Sequence, residues 1–146
     1  MAAGTPGRLG GTLISMLGIT RIHASLLNDG DGVRPVCDPV GGRPTAVGEN
    51  RVSDASCGDG FTVDATLNGK ILGYLDGAEG VRILGIDGSS NLVDALPDCL
   101  RIDGSALTRD GRGGRRPVVT RHAGTPCDLG ALEYNLIDLF RDGFER

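Results

Sequence analysis

The chain has 146 residues, enough for one domain with a modest hydrophobic core. Its 25 glycines exclude an ordinary helical bundle, because each glycine inside a helix costs about 0.5–1 kcal/mol relative to alanine, and they lack the regular period of collagen. The formal net charge of −4 disfavours a nucleic-acid-binding protein, since contact with phosphates normally requires a basic surplus.

The N-terminal residues lack the pattern of a secretion signal. An apolar run begins at Leu13 but is interrupted by Ser15 and Gly18, and Arg8 is the only basic residue before it. The run is too short and too polar for a signal peptide, and no stretch approaches the roughly 18 apolar residues of a membrane span. We therefore expect either a cytosolic protein or a true start upstream of Met1, with residues 1–11 disordered or truncated.

The first predicted strand lies just after this run. Ile22, Ala24 and Leu26 alternate with His23 and Ser25, which is the period of a half-buried strand. The sequence NDGDG at residues 28–32 ends it, and residues 33–57 have the composition of loops.

A calcium site is conceivable in residues 28–38, because the stretch from Asn28 to Asp38 is rich in side-chain oxygens. The EF-hand loop requires oxygen ligands at fixed positions and a bidentate glutamate at its end, and this stretch lacks that order. A plain turn is the favoured interpretation.

The middle of the chain predicts short strands joined by glycine turns. Apolar stretches such as KILGYL and VRILGI lie between Asn-Gly and Asp-Gly dipeptides, which are strong hairpin or corner signals. The resulting fold class is all-β, and the spacing fits a sandwich, a barrel or a β-solenoid equally. Near the end, Leu132, Leu136, Leu139 and Phe140 have helical spacing, although GALEY also fits a strand.

Four cysteines are present: Cys37, Cys57, Cys99 and Cys127. No two of them form a C-x-x-C pair, which disfavours a zinc site. An even count fits two disulfides in an oxidising compartment, with three possible pairings, whereas four thiols in a cytosolic protein remain the alternative.

The stretch RDGRGGRRP combines arginine with glycine at residues 109–117. Arg109, Arg112, Arg115, Arg116 and the later Arg121 face only one nearby acid, Asp110, and could bind phosphate. No aromatic residues are interleaved for base stacking, so we favour a solvated loop paired with acids such as Asp128 or Glu133.

Residues for catalysis, cofactor binding or metal binding are not predicted anywhere in the sequence. His23 and His122 have no histidine or glutamate at ligand spacing, and no nucleophile or phosphate-binding motif occurs. We therefore expect no enzymatic activity, no cofactor and no metal.

The C-terminal part of the chain resembles choice-of-anchor Q domain proteins, which are large, repetitive bacterial secreted or outer-membrane proteins. Those proteins end with D-Q-R-G-x-x-R-P, a spacer and C-D-I-G-A-F-E-Y, and the present chain departs from this pattern by lacking the glutamine and by its longer spacer. Upstream, GENRVSDASCG resembles the family phrase G-Y-N-L-S-S-D-x-S-C, with Glu49 in place of tyrosine. The ending DGFER resembles a short sorting tag. The matching residues of the closing phrase are Arg109, Asp110, Gly111, Arg112, Gly113, Arg116, Pro117, Cys127, Asp128, Leu129, Gly130, Ala131, Leu132, Glu133 and Tyr134.

The resemblance implies a right-handed parallel β-helix, with its end coils and C-terminal cap in residues 12–134 and a tail in residues 135–146. A disulfide-pinned cap would suit such a solenoid, and proximity in the sequence then favours the pairs Cys37–Cys57 and Cys99–Cys127. In this interpretation the arginine-glycine stretch is a structural turn that leads into the closing strand, with guanidinium groups meeting carboxylates or backbone carbonyls.

The implied function is that of a non-enzymatic, adhesin-like segment that is secreted or lies on the outer membrane or cell surface. Its partners would be host or environmental glycans or surface proteins, with no nucleic acid and no membrane span in this chain. The alternative is the remnant of a β-helical polysaccharide lyase or hydrolase whose active coils lie upstream.

Overall fold

The computed structural model describes residues 13–14, 19–30, 35–38, 42–76, 80, 82–118 and 126–134. These residues form two compact units, which divide between Asn68 and Gly69. Short β-strands and turns dominate both units, and the described part of the chain contains one 3-10 helix and no α-helix. The predicted all-β character is therefore confirmed at this level. The proposed disordered or truncated N-terminus, the C-terminal tail and most of the helical pattern after Leu132 lie outside the described residues.

The described residues of the first unit form seven short strands that pair in parallel. Their small size follows from the sequence, because glycine and proline interrupt nearly every apolar run. In chain order they are β1 (Leu13–Ile14), β2 (Arg21–His23), β3 (Leu26–Leu27), β4 (Cys37–Asp38), β5 (Thr45–Val47), β6 (Arg51–Val52) and β7 (Thr62–Val63).

Three of the parallel pairs share almost the same spacing along the chain. In β1 and β4, Leu13 is opposite Cys37; in β2 and β5, Arg21 is opposite Thr45. In β3 and β6, Leu26 is opposite Arg51, so that each partner lies 24 or 25 residues further on. β7 then joins β6 after a much shorter connection. The strands β1–β3 therefore form a first pass of the chain and β4–β6 a second pass, in which each strand pairs with its counterpart in the first.

The core of the first unit lies between these strands. Val36, Cys37, Val52, Cys57 and Phe61 are buried there, and partly buried apolar side chains pack against them. The disulfide Cys37–Cys57 is part of this core, with its two Cα atoms 4.9 Å apart. The core therefore combines apolar burial with a covalent link.

Asn50 fills a polar position in the first unit, although its side chain is fully buried. Its amide nitrogen donates to the carbonyl of Ile22 at 3.1 Å and its amide oxygen accepts from the backbone N–H of Ser25 at 3.0 Å. Further contacts reach the carbonyls of Val47 and Gly48, both at 3.2 Å. Buried backbone N–H and C=O groups must be hydrogen-bonded, and the short strands leave some of them without a backbone partner. Asn50 supplies hydrogen bonds to these groups.

The second unit begins with a 3-10 helix that crosses the boundary at Leu67–Lys70 and continues into an antiparallel hairpin. β8 (Ile71–Asp76) pairs with β9 (Arg82–Ile86), with Tyr74 opposite Leu84. The Asp76-Gly77 dipeptide at the end of β8 is one of the predicted turn signals. After β9 the chain forms turns, and Leu96 bridges Cys127.

Two further hairpins are closed by Asp-Gly turns. Leu100 bridges Ala106 around Asp103-Gly104, and Arg109 bridges Arg115 around Asp110-Gly111. The buried apolar residues of this unit lie on β9, on the following turns and on the closing segment: Ile83, Ile86, Leu92, Val93, Leu96, Leu129 and Leu132.

Candidate functional site

The densest polar arrangement in the described residues surrounds Arg116. Two segments build it: the hairpin of residues 108–116, which is called the arginine hairpin below, and residues 126–134, called the closing segment. Arg116 Nε donates to Glu133 Oε2 at 2.8 Å, and the two side chains are only 3% and 1% exposed. A buried charge is tolerated only when it is paired and fully hydrogen-bonded, so the remaining contacts of this pair determine its role.

The guanidinium group of Arg116 also gathers the backbone of the closing segment. Its Nη2 donates to the carbonyls of Asp128 at 3.2 Å, Gly130 at 2.9 Å and Leu132 at 2.9 Å. Gly130 has a φ of 102°, a conformation that glycine adopts without a Cβ penalty. The curved segment thus directs three carbonyls at one cation.

The carboxylate of Glu133 is equally saturated. Its Oε2 accepts from the backbone N–H of Asp128 at 3.2 Å, in addition to Arg116, and its Oε1 accepts from the N–H of Val118 at 2.9 Å. Glu133 therefore holds the chain that leaves the arginine hairpin at Val118 against the closing segment.

Asp110 ties the turn of the arginine hairpin to the same segment. Its Oδ1 accepts from the N–H groups of Arg112 and Gly114, at 2.9 and 2.7 Å, and its Oδ2 accepts from the N–H of Glu133 at 3.1 Å. The N–H of Gly111 donates to the carbonyl of Ala131 at 2.6 Å. The side chain of Asp110 is thus used by backbone donors and does not form a pair with an arginine.

Asp128 connects the closing segment to the turns that follow β9. It accepts from the N–H of Asp94 at 2.7 Å and from the N–H of Tyr134. Burial raises the pKa of Asp128 to about 6, and the charges of Glu133 and Asp94 add to the rise, while the two backbone N–H bonds oppose it. Asp128 is therefore an acid whose ionised form the fold disfavours.

A disulfide anchors the start of the closing segment. Cys127 is bonded to Cys99, with their Cα atoms 5.3 Å apart. The N–H and carbonyl groups of Cys127 pair with those of Leu96, and the N–H of Leu129 donates to Leu92 at 2.9 Å. Chemically, the whole arrangement joins three separate stretches of chain through one ion pair, one disulfide and backbone hydrogen bonds.

The residues that the sequence singles out lie in different environments in the structure. All four cysteines form disulfides, in the pairs that proximity favours. Arg116 pairs with Glu133, one of the acids expected as a partner, but the prediction of a solvated loop is wrong for Arg116, because its side chain is buried. Arg109 and Arg115 are exposed, and Arg121 lies outside the described residues. The N–H of Gly30 donates to Asn28 within a local turn, and the described residues contain no group of three potential metal ligands. Only part of residues 28–38 is described.

Sequence reasoning misses the roles of two side chains, Asn50 and Asp110, and one contact of a third, Glu133. Asn50 stands out in the sequence only as part of the GENRVSDASCG phrase, and Asp110 only as the acid nearest the arginines, whereas both side chains bind backbone groups. For Glu133, the pairing was foreseen but its contact with Val118 was not. Cys127 and Gly130 in the stretch CDLGALEY (residues 127–134) are the signals in the sequence that the closing segment is tightly constrained.

No helix in the described part of the chain has the length and hydropathy to span a membrane. The two disulfides indicate that the protein folds in an oxidising environment. Comparison of the chain with family models, with curated proteins and with solved structures gives no match.

Proposed function

We propose that this chain is a non-enzymatic, secreted or cell-surface segment with a structural, adhesin-like role. Its first unit would be end coils of a right-handed parallel β-helix, and its second unit would be the C-terminal cap, as in choice-of-anchor Q domain proteins. The observation that carries the proposal is the repeated parallel pairing of three strand positions at a spacing of 24 or 25 residues.

That spacing supports a solenoid for a geometric reason. In a solenoid each coil stacks on the one before it, so every strand pairs with the strand one coil further along the chain, at a nearly constant offset. Parallel strands also require a long connection between them, which a coil supplies. The stacking of Ile22 and Leu27 against the core of the first unit is consistent with coils that share one interior.

The arginine-centred network supports the role of the second unit as a cap. The end of a solenoid exposes strand edges that invite pairing with other chains, and natural proteins cover such edges with irregular structure. The closing segment is irregular, yet the Arg116–Glu133 pair and the Cys99–Cys127 disulfide fix its conformation. A rigid, hydrogen-bonded loop segment of this kind suits an end cap.

The location of the protein in the cell tests the proposal. Antibodies raised against the purified chain would be used on fractionated cells of the native organism, with alkylation of free thiols before lysis. We expect the protein in the medium or on the cell surface, with all four cysteines protected from alkylation. A cytosolic protein with four reactive thiols would contradict the proposal.

The alternative of a carbohydrate-active enzyme is tested separately. Purified protein would be incubated with acidic polysaccharides, and unsaturated products and new reducing ends would be followed over time. We expect the amounts of both products to stay at the level seen in a control sample of the boiled protein. Catalytic formation of either product would overturn the non-enzymatic role and favour a lyase or a hydrolase.

A further inference from the structure

The arginine hairpin places two arginines side by side on its outer face. The N–H of Asp110 donates to Gly114 at 2.9 Å and the N–H of Arg116 donates to Thr108 at 2.9 Å, on either side of the Arg109–Arg115 pair. This pattern makes Arg109 and Arg115 a non-hydrogen-bonded cross-strand pair, in which side chains are closest, with Cα atoms about 4.5 Å apart. Both residues are exposed.

The charges on the inner face do not reach this pair. Because side chains alternate along a strand, Asp110 and Arg116 point inward. There Asp110 accepts hydrogen bonds from backbone N–H groups, and Arg116 forms its ion pair with Glu133. Arg109 donates from Nη1 to the carbonyl of Gly113 at 2.8 Å, which fixes the group without neutralising it. Among the described residues, no carboxylate forms an ion pair with Arg109 or Arg115.

A pair of like charges directly opposite one another is unfavourable unless an anion lies between or above them. Guanidinium groups have a planar fork that binds the two oxygens of a carboxylate or sulfate group, and two adjacent forks suit a ligand with repeated anionic groups. The exposed pair therefore has the geometry to bind a polyanion.

We propose that Arg109 and Arg115 form a binding surface for an acidic polysaccharide that carries carboxylate or sulfate groups. Residues 108–116 contain no aromatic side chain on which a base would stack, which disfavours single-stranded nucleic acid. The two disulfides indicate an oxidising compartment of the kind that secreted proteins occupy, away from the cytosol that holds most nucleic acid. The inference deepens the proposed function, on which it rests for that compartment.

The test is titration calorimetry of the full chain with four probes: heparin as the sulfated polysaccharide, polygalacturonate as the carboxylated one, dextran as the neutral one and a single-stranded DNA oligonucleotide. We expect binding to heparin, to polygalacturonate or to both, with affinity that falls as salt is added, and no binding to dextran. The double variant Arg109→Gln/Arg115→Gln should bind about tenfold more weakly or worse, because two charge-assisted contacts are lost.

A matched control removes the same charge elsewhere. Arg21 and Arg101 are also exposed, and Asp103 already faces the charge of Arg101. The variant Arg21→Gln/Arg101→Gln should retain binding within about twofold, since neither residue belongs to the arginine hairpin. Because all four residues are exposed, both variants should unfold at the same denaturant concentration as the parent protein.

Three results would overturn the inference: no binding to either acidic polysaccharide, equal losses in the two double variants, or tighter binding to the oligonucleotide than to both polysaccharides. The first leaves the proposed function standing if the protein is found on the cell surface. Conversely, binding that depends on Arg109 and Arg115 together with catalytic cleavage would retain this surface and contradict the non-enzymatic role.

Discussion

Neighbouring residues of the arginine stretch have opposite environments. Arg115 is exposed on the outer face of the hairpin, whereas Arg116 is buried and makes an ion pair and three bonds to carbonyls. The difference arises from the alternation of side chains along an extended backbone. A single run of similar residues thus contributes both to the stability of the fold and to its surface charge.

Replacing Glu133 with glutamine should destabilise the protein by about 3–5 kcal/mol, because Arg116 would be left as a buried charge without a counterion. Urea unfolding followed by circular dichroism measures the change. The control is Glu49→Gln, which removes a partly exposed partner of Arg51 and should cost about 1 kcal/mol or less. Similar losses of unfolding free energy in the two variants would show that burial does not increase the contribution of the Arg116–Glu133 pair to stability.

Asp128 should give the protein a distinctive pH dependence. The folded protein holds a proton on Asp128 up to about pH 6, whereas the unfolded chain releases it near the ordinary pKa of 3.8. Stability that depends on this proton is therefore present at low pH and is lost as the pH rises through that window.

The variant Asp128→Asn isolates this contribution. The unfolding free energy of the parent protein minus that of the variant should decrease as the pH rises from about 4 to about 6. Above that range the difference should be constant. Urea unfolding at each pH gives the values. A difference that does not change with pH would mean that Asp128 has an ordinary pKa in the folded protein.

Among the elements of the second unit, the turn after β9 and the closing segment are in close contact. A Cβ atom built on Gly88 would overlap the ring of Tyr134, so this position requires glycine for space. The contact brings together residues that are far apart in the sequence. It is one of several reasons why the closing segment has a defined conformation without regular secondary structure.

Gly88→Ala should therefore destabilise the protein by about 1–3 kcal/mol through overpacking. Gly69→Ala is the control, since Gly69 is exposed and an added Cβ there meets no atom within 4 Å; its effect should stay within about 0.5 kcal/mol. Combining Gly88→Ala with Tyr134→Ala should cost less than the sum of the two single changes, as a double-mutant cycle would measure. Strict additivity would contradict the contact.

At the scale of the whole molecule, each unit contains one disulfide. Cys37–Cys57 lies in the core of the first unit and Cys99–Cys127 anchors the closing segment of the second. The loops that they close, of 20 and 28 residues, correspond to about 3 kcal/mol each when the bond restricts the unfolded chain.

A tryptic map of the non-reduced protein should contain peptides that join Cys37 to Cys57 and Cys99 to Cys127. A peptide that joins Cys57 to Cys99 would refute this pairing. In hydrogen exchange, the variant Cys37→Ser/Cys57→Ser should increase amide exchange mainly within the first unit, because its constraint is confined to that unit. An equal increase in both units would show that they unfold together.

The sequence by itself determined the properties that depend on neighbouring residues. Dense glycine and short apolar runs predicted a β protein without long helices, and the turns at Asp103-Gly104 and Asp110-Gly111 do close hairpins. The even cysteine count indicated two disulfides but left three pairings open, and only the family resemblance, with proximity in the sequence, favoured the pairs that the structure contains.

Only the tertiary structure decided which arginine is buried, which carbonyls it binds and which strands pair in parallel. These features, together with the contacts of the closing segment, join residues 11 to 34 positions apart, as in the pairing of Arg51 with Thr62 and the hydrogen bond from Asp94 to Asp128. Asn50 illustrates the limit, because its partners Ile22 and Ser25 belong to the previous pass of the chain. Local propensity cannot encode such pairings, since they are selected by burial and by the need to satisfy every buried polar group at once.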